Sequence, residues 1–126
     1  MKRLWIGAAL LAALLIGGIG STIAMERFHH SLSQRLVSTA AAALEEDWPR
    51  AHGLLRQCRN RWLHCRNFVA AGASHELIEE IDNLYDQLDL YLRRRDSMGF
   101  ALCCSTLRHR TADLGEAQSI NWWNLL

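Results

Sequence analysis

Residues Leu4 to Ala24 form one uncharged, largely apolar run, LWIGAALLAALLIGGIGSTIA, directly behind Met1-Lys2-Arg3. A bilayer core of about 30 Å is crossed by about 20 helical residues, and a lone segment in lipid satisfies its backbone polar groups only as a helix. The run is predicted to be a transmembrane helix, with residues 1–25 as anchor and residues 26–126 as a helical domain. The competing reading is a cleaved signal peptide on a secreted helical protein, since a basic start and small residues near Thr22-Ile23-Ala24 fit that pattern. The run exceeds the roughly 7–15 residues of an ordinary signal core, and Met25-Glu26-Arg27-Phe28 continues as helix former, so an uncleaved anchor is preferred. Lys2, Arg3 and the amino terminus weigh against Arg27 and Arg35 across the span, which favours a single-pass cell-membrane protein with its bundle extracytoplasmic. Ala9, Ala13, Gly17 and Ser21 recur every fourth residue, a small-residue ladder suited to a homodimer contact between membrane helices.

About 100 residues follow the anchor, enough for one core and too few for two. Once Lys2 and Arg3 are set aside, twelve arginines face thirteen carboxylates. A nucleic-acid platform would be strongly basic, so no nucleic-acid partner is expected. One proline, no Asn-Gly or Asp-Gly turn and no run of alternating β-branched residues argue against sheet. The fold class is all-α: a transmembrane helix that continues into a small antiparallel helical bundle.

Spacings of three and four mark the helices. The anchor continues through Met25, Phe28, Leu32, Leu36, Thr39 and Ala43 and is expected to stop near Glu46. Asp47-Trp48-Pro49 supplies a cap and a first-turn proline for a second helix. Its stripe of Trp48, Ala51, Leu55, Cys58, Trp62, Cys65 and Val69 is a seven-residue repeat. Ala70-Ala71-Gly72-Ala73 breaks the helix, with Gly72 suited to a left-handed cap and Ser74 to capping the next one. A third helix over His75 to Arg93 carries a wide apolar face of Leu77, Ile78, Ile81, Leu84, Tyr85, Leu88, Tyr91 and Leu92. Its acids, Glu76, Glu79, Glu80, Asp82, Asp86 and Asp89, oppose Arg50, Arg56, Arg59, Arg61 and Arg66 of the second helix. The charge pattern is expected to set pairing and register more than stability, because exposed pairs contribute about 0–1 kcal/mol. Asp96 caps a fourth helix with Phe100, Cys103 or Cys104, Leu107, Thr111 and Leu114 inward. The tail from Ser119 to Leu126 is expected to fold back on the bundle.

Four Cys and six His are the residues with chemistry to offer. No His or Cys has another three or four positions away, the spacing a helix uses for chelation. Cys58 and Cys65 share a face two turns apart, about 10 Å, too far for one zinc or one disulfide. Packing explains both, so no metal and no cofactor is expected. A disulfide from Cys58 or Cys65 to Cys103 or Cys104 stays open if the domain faces an oxidising exterior. So does a thiol- or metal-responsive sensor built from the four. His29-His30 lies just beyond the anchor and is read as an interfacial pair. With no glycine-rich phosphate loop, HExxH or Gly-x-Ser-x-Gly, catalysis is not expected.

Trp48, Ala51, Leu55 and Trp62, the His75-Glu76-Leu77 and Ile81-Asp82 stretch, and the terminal Asn124-Leu125-Leu126 make the chain resemble a bacterial family of unknown function. Its members are short, N-terminally anchored and helical. The resemblance covers nearly the whole chain and implies architecture, since the activity of that family is unassigned. It leaves the cysteines outside the pattern and makes His75 a candidate binding residue. The expected role is non-enzymatic: an accessory or scaffold that binds a membrane-associated protein, with Trp122 and Trp123 as further anchoring candidates because Trp is enriched where partners bury large side chains.

Overall fold

A computed structural model describes the chain from Met1 to Leu125; the side chains of Ser21, Met25 and residues 117–125 lie outside the described set. Four helices account for nearly all of it: α1 (Lys2–Leu44), α2 (Trp48–Ala70), α3 (His75–Arg94) and α4 (Ser97–Leu125). Each packs antiparallel on the next, and α4 returns along α1, so the ring α1-α2-α3-α4 closes. The bundle core uses the inward positions that the spacing predicts. Leu32, Leu36, Thr39 and Ala43 of α1, Ala51, Leu55, Cys58, Trp62 and Val69 of α2, and Ile78, Ile81, Leu84, Tyr85 and Leu88 of α3 are buried. So are Phe100, Cys103, Cys104, Leu107, Thr111 and Leu114 of α4.

The two turns at the end remote from the N-terminus are built alike. Glu46 has φ 59° and Arg95 φ 51°, both left-handed. After α1, the Glu46 N–H donates to Ala43 O and the Asp47 N–H to Ala42 O. After α3, the Arg95 N–H donates to Leu92 O and the Asp96 N–H to Tyr91 O. This paired pattern satisfies the last helical carbonyls. The aspartate that completes it is also the next N-cap: Asp47 Oδ1 accepts from Arg50 N at 3.4 Å and Asp96 Oδ1 from Gly99 N at 3.1 Å. One residue thus ends a helix and starts another, which leaves no slack in either hairpin.

Two details differ from expectation. No glycine among the described residues has positive φ, and the residue after α2, Ala71, stays right-handed at φ −66°, so Gly72 supplies no left-handed cap. Ser74 alone marks the restart, its Oγ accepting from Leu77 N at 3.3 Å. The tail does not fold back either, because the backbone continues as α4 to Leu125.

Opposite charge does join α2 to α3. Arg59 reaches Asp86 at 2.9 Å and Asp89 at 3.0 Å, and Arg66 reaches Asp82 at 2.8 Å. The Trp62 indole N–H donates to the other Asp82 oxygen at 2.7 Å, so one half-buried carboxylate holds both a core indole and a rim guanidinium. Arg50 and Arg56 stand outside this set.

Trp62 is 1% exposed. Trp62→Ala is expected to cost about 3–5 kcal/mol by leaving a cavity, whereas Arg59→Ala, on a solvated rim, should cost no more than about 1 kcal/mol. Denaturant unfolding of the detergent-solubilised chain measures both, and equal small losses would remove Trp62 from the core.

Candidate functional site

The thiols come first, since they were the sharpest chemical candidates. Cys58, Cys103 and Cys104 are buried, Cys65 is half-buried, and all four are free. Cys103 Sγ donates to Leu84 O and Cys65 Sγ to Trp62 O, both at 3.4 Å, while Cys58 lies 4.0 Å from Thr39 Oγ1. Burial pushes all four thiols up, Cys103 to about 11 and Cys104 to about 12, where neighbouring Cys103 and Cys58 add to the effect. A thiol in this state is a poor nucleophile and a poor metal ligand, because both roles need the thiolate. Among the described residues no group of three His, Cys, Asp or Glu is placed to hold a metal ion. Tyr85 sits in the same interior, its hydroxyl donating to Cys58 O at 3.4 Å. Burial raises its pKa as well, so it serves as a packed donor.

His75 opens α3 on the surface. Its side chain is 84% exposed and its Nε2 lies 3.0 Å from Glu79 Oε1. Ser74, Glu76, Glu79, Glu80 and Asn83 border a shallow polar groove that Arg110 of α4 closes, its Nε 2.8 Å from Glu80. The groove holds acids and one paired guanidinium but no nucleophile beside a base, so its chemistry is charge display. Trp122 and Trp123, the other expected binding residues, lie outside the described side chains.

The adjacent histidines part company. His30 is exposed and its Nε2 is 3.1 Å from Gln34 Nε2. His29 turns into the α1/α4 seam, edge-on to Phe28 and beside Gly115, where a Cβ would meet its Cδ2 at 3.1 Å. Neither buried ring nitrogen has a hydrogen-bond partner among the described residues, and burial lowers the imidazole pKa. Sequence spacing hinted at this, since His29 follows Phe28 on the inward edge. Gly115 opposite, which makes the room, has no local signal. Gly99 is similar: a Cβ there would lie 2.5 Å from the Tyr91 ring.

The largest unpartnered surface is the N-terminal half of α1. No residue of its most apolar 18-residue window is buried, and Leu4, Trp5, Ile6, Leu14 and Ile16 are each more than half exposed. Ala9, Ala13 and Gly17 of the small-residue ladder are uncovered too, and nothing lies within 4 Å of a Cβ built on Gly17. Ser21 lies outside the described side chains. Helix α1 is thus long and apolar enough to span a membrane. Elsewhere Phe68 on α2, Leu90 on α3, and Met98 and Leu102 on α4 are exposed.

A family model described as Domain of unknown function (DUF4363) matches residues 20–125, which takes in the whole bundle and leaves most of the apolar run outside. No curated protein and no solved structure matches the chain.

Two measurements check this description. With Cys103 raised to about 11, that thiol in the native chain should react with an aromatic disulfide reagent at mildly alkaline pH about a hundredfold more slowly than in the unfolded chain, and the other three should also be slowed. Fast labelling of any two thiols would restore the sensor reading. For His29, the folded state disfavours the charged imidazole, so the unfolded state binds the extra proton. Stability is then intact above the ordinary value of 6.5 and is lost as pH falls from there through the lowered folded value. The loss from about pH 7.5 to about pH 5 should be smaller in His29→Leu than in the parent, and identical losses would exonerate His29.

Proposed function

The chain belongs to the DUF4363 family, whose function is unknown, and we propose that it is a membrane-tethered, non-enzymatic bundle that binds a membrane-associated protein as an accessory or scaffold. The observation that carries the reading is the wholly exposed apolar half of α1. A water-soluble fold gains its stability by removing such surface from solvent, at about 25 cal/mol per Å², and here the bundle closes its core without using it. Lipid is the solvent in which that half of α1 is stable, since all its backbone bonds are internal. Trp5 near one end suits the headgroup level, and Lys2 and Arg3 suit the phosphate layer.

Protein binding is favoured over catalysis by what the bundle does with its reactive groups: the thiols and Tyr85 are raised by burial, and Asp82, Asp86, Asp89, Glu80 and Asp113 are paired with arginines. Exposed Leu44, Leu63, Leu90, Met98 and Leu102 are among the described apolar side chains available to a partner, and Trp122, Trp123 and His75 remain binding candidates. A homodimer through Ala9, Ala13, Gly17 and Ser21, and an extracytoplasmic bundle, belong to the same proposal.

Membrane fractions washed at alkaline pH test the tether. The chain should stay in the pellet at its full mass, and Leu14→Arg, which puts a charge near mid-span at about 3 kcal/mol, should lower the inserted fraction. Recovery in the wash, shortened by its first 24 or so residues, would replace the tether by a secreted bundle.

A further inference from the structure

Because α1 runs without interruption from the apolar run into the bundle, heights on the other helices can be counted from it. Arg61 of α2 donates to Ser31 Oγ of α1 at 2.8 Å, and Cys58 Sγ lies 4.0 Å from Thr39 Oγ1; the long arginine reach and the short thiol contact together bracket the level of α2 against α1. The helices are antiparallel, so seven residues further along α2 correspond to seven residues back along α1. Counted from the two pairs, Phe68 stands level with residues 24–29 of α1, just past the end of the apolar run at Ala24, and the turn that follows it lies nearer still to that end. It occupies the flank of α2 that carries Arg61, toward α1, and it is 68% exposed. Beyond it the chain turns through Ala70, Ala71, Gly72 and Ala73, four residues without charge.

The same end of the bundle is polar on its other edge. Arg66 and Trp62 both reach Asp82, so Phe68 stands at the height of the first turns of α3, between Glu76 and Glu80. Glu79 is exposed, bound only to His75 among the described contacts, and Glu76 follows one turn lower. One edge of the base is thus an exposed phenyl ring with an uncharged turn beside the span, and the other is acidic.

We propose that the α2 edge of the bundle base, Phe68 with the 70–73 turn, is a lipid-docking surface that sits in the bilayer interface next to the span. The inference rests on the tether reading and adds a second contact to it. A phenyl ring is favourable at the headgroup boundary, whereas carboxylates are held in water, so the bundle leans with α2 toward lipid and the start of α3 away. The occupant is the bilayer because Phe68 and the uncharged turn after it stand beside the helix that enters it, within about two turns of where the apolar run ends.

Site-specific photocrosslinking on the full chain distinguishes the outcomes. A benzophenone amino acid is placed singly at Leu10, Phe68, Glu79 or Met98, all exposed positions, in nanodiscs of phosphatidylcholine and phosphatidylglycerol. Mass spectrometry then counts lipid adducts on chains whose helicity matches the parent. Adducts at 10 and 68, with loss of the adduct at 79 and 98, are expected. An adduct at 10 without one at 68 overturns the docking surface while leaving the tether, and none at either position removes the tether itself. Equal adducts at 68 and 79 overturn the lean, and a protein adduct at 68 in place of lipid assigns the ring to a partner chain.

Discussion

Everything in this fold depends on one helix that changes its surroundings without changing its backbone. Helix α1 has 43 residues, about 65 Å at 1.5 Å per residue. Its first half is apolar on all sides and is not buried among the described residues; its second half buries the face through Leu32, Leu36, Thr39, Ala42 and Ala43 and keeps Gln34, Val37 and Ser38 exposed. A periodic stripe is what a partner on one side requires, and an all-round apolar surface is what a uniform apolar solvent requires. No glycine-proline break or loop separates the two regimes, so bundle and apolar half share one axis. A flexible linker would have let the bundle tumble; a continuous hydrogen-bonded backbone holds it.

The remaining helices follow from how little slack they have. The turns at Glu46 and Arg95 each spend one left-handed residue, at a cost of about 1–2 kcal/mol for a side-chain-bearing residue, and each recovers two carbonyl bonds and an aspartate cap. That forces α2 back along α1 and α4 back along α3. Joining the two hairpins is left to the longer 71–74 turn, which specifies direction less strictly. Register there falls to Arg59 and Arg66 with Asp82, Asp86 and Asp89. Each pair is solvated and weak alone. Asp82 differs because the Trp62 indole shares it, so sliding α3 by one turn would strand the donor of a buried tryptophan as well as break an ion pair.

Apart from the run of α4 on to Leu125, helix positions, inward faces and the α2/α3 charge pairing were legible in the sequence, because each is a repeating signal summed over several turns. The stripe from Trp48 to Val69 names the inward side of α2, with Trp48 and Cys65 at its half-buried margin, and Asp47, Ser74 and Asp96 cap where their side chains predict. What escaped is set by single contacts between distant residues. Left-handed Glu46 and Arg95 look like ordinary helix residues, while Gly72, the residue type most at ease in that conformation, does not use it. His29 and His30 are chemically identical, and only the approach of α4 at Gly115 decides which is buried. Phe68 lies off the α2 stripe, and that departure becomes meaningful only when Arg61 with Ser31 and Cys58 with Thr39 bracket its height.

The division between interior and surface narrows where function can lie. Thr39 and Thr111 donate to carbonyls one turn back, Tyr85 to Cys58 O and Cys103 to Leu84 O on neighbouring helices, so these polar groups of the core are satisfied within it. A redox or metal response would have to break that packing before it began, which raises its threshold above that of any surface event. The surface, by contrast, is graded along the axis: apolar at the α1 end, mixed aromatic and acidic at the base, with Leu44 and Met98 exposed at the far turns. With the base seated in lipid, the helical rise from Ala24 to Leu44 puts those far turns about 30 Å above the bilayer. A protein that meets them would be held at a fixed distance from the membrane, and the stiffness of α1 is what makes that distance a property of the chain.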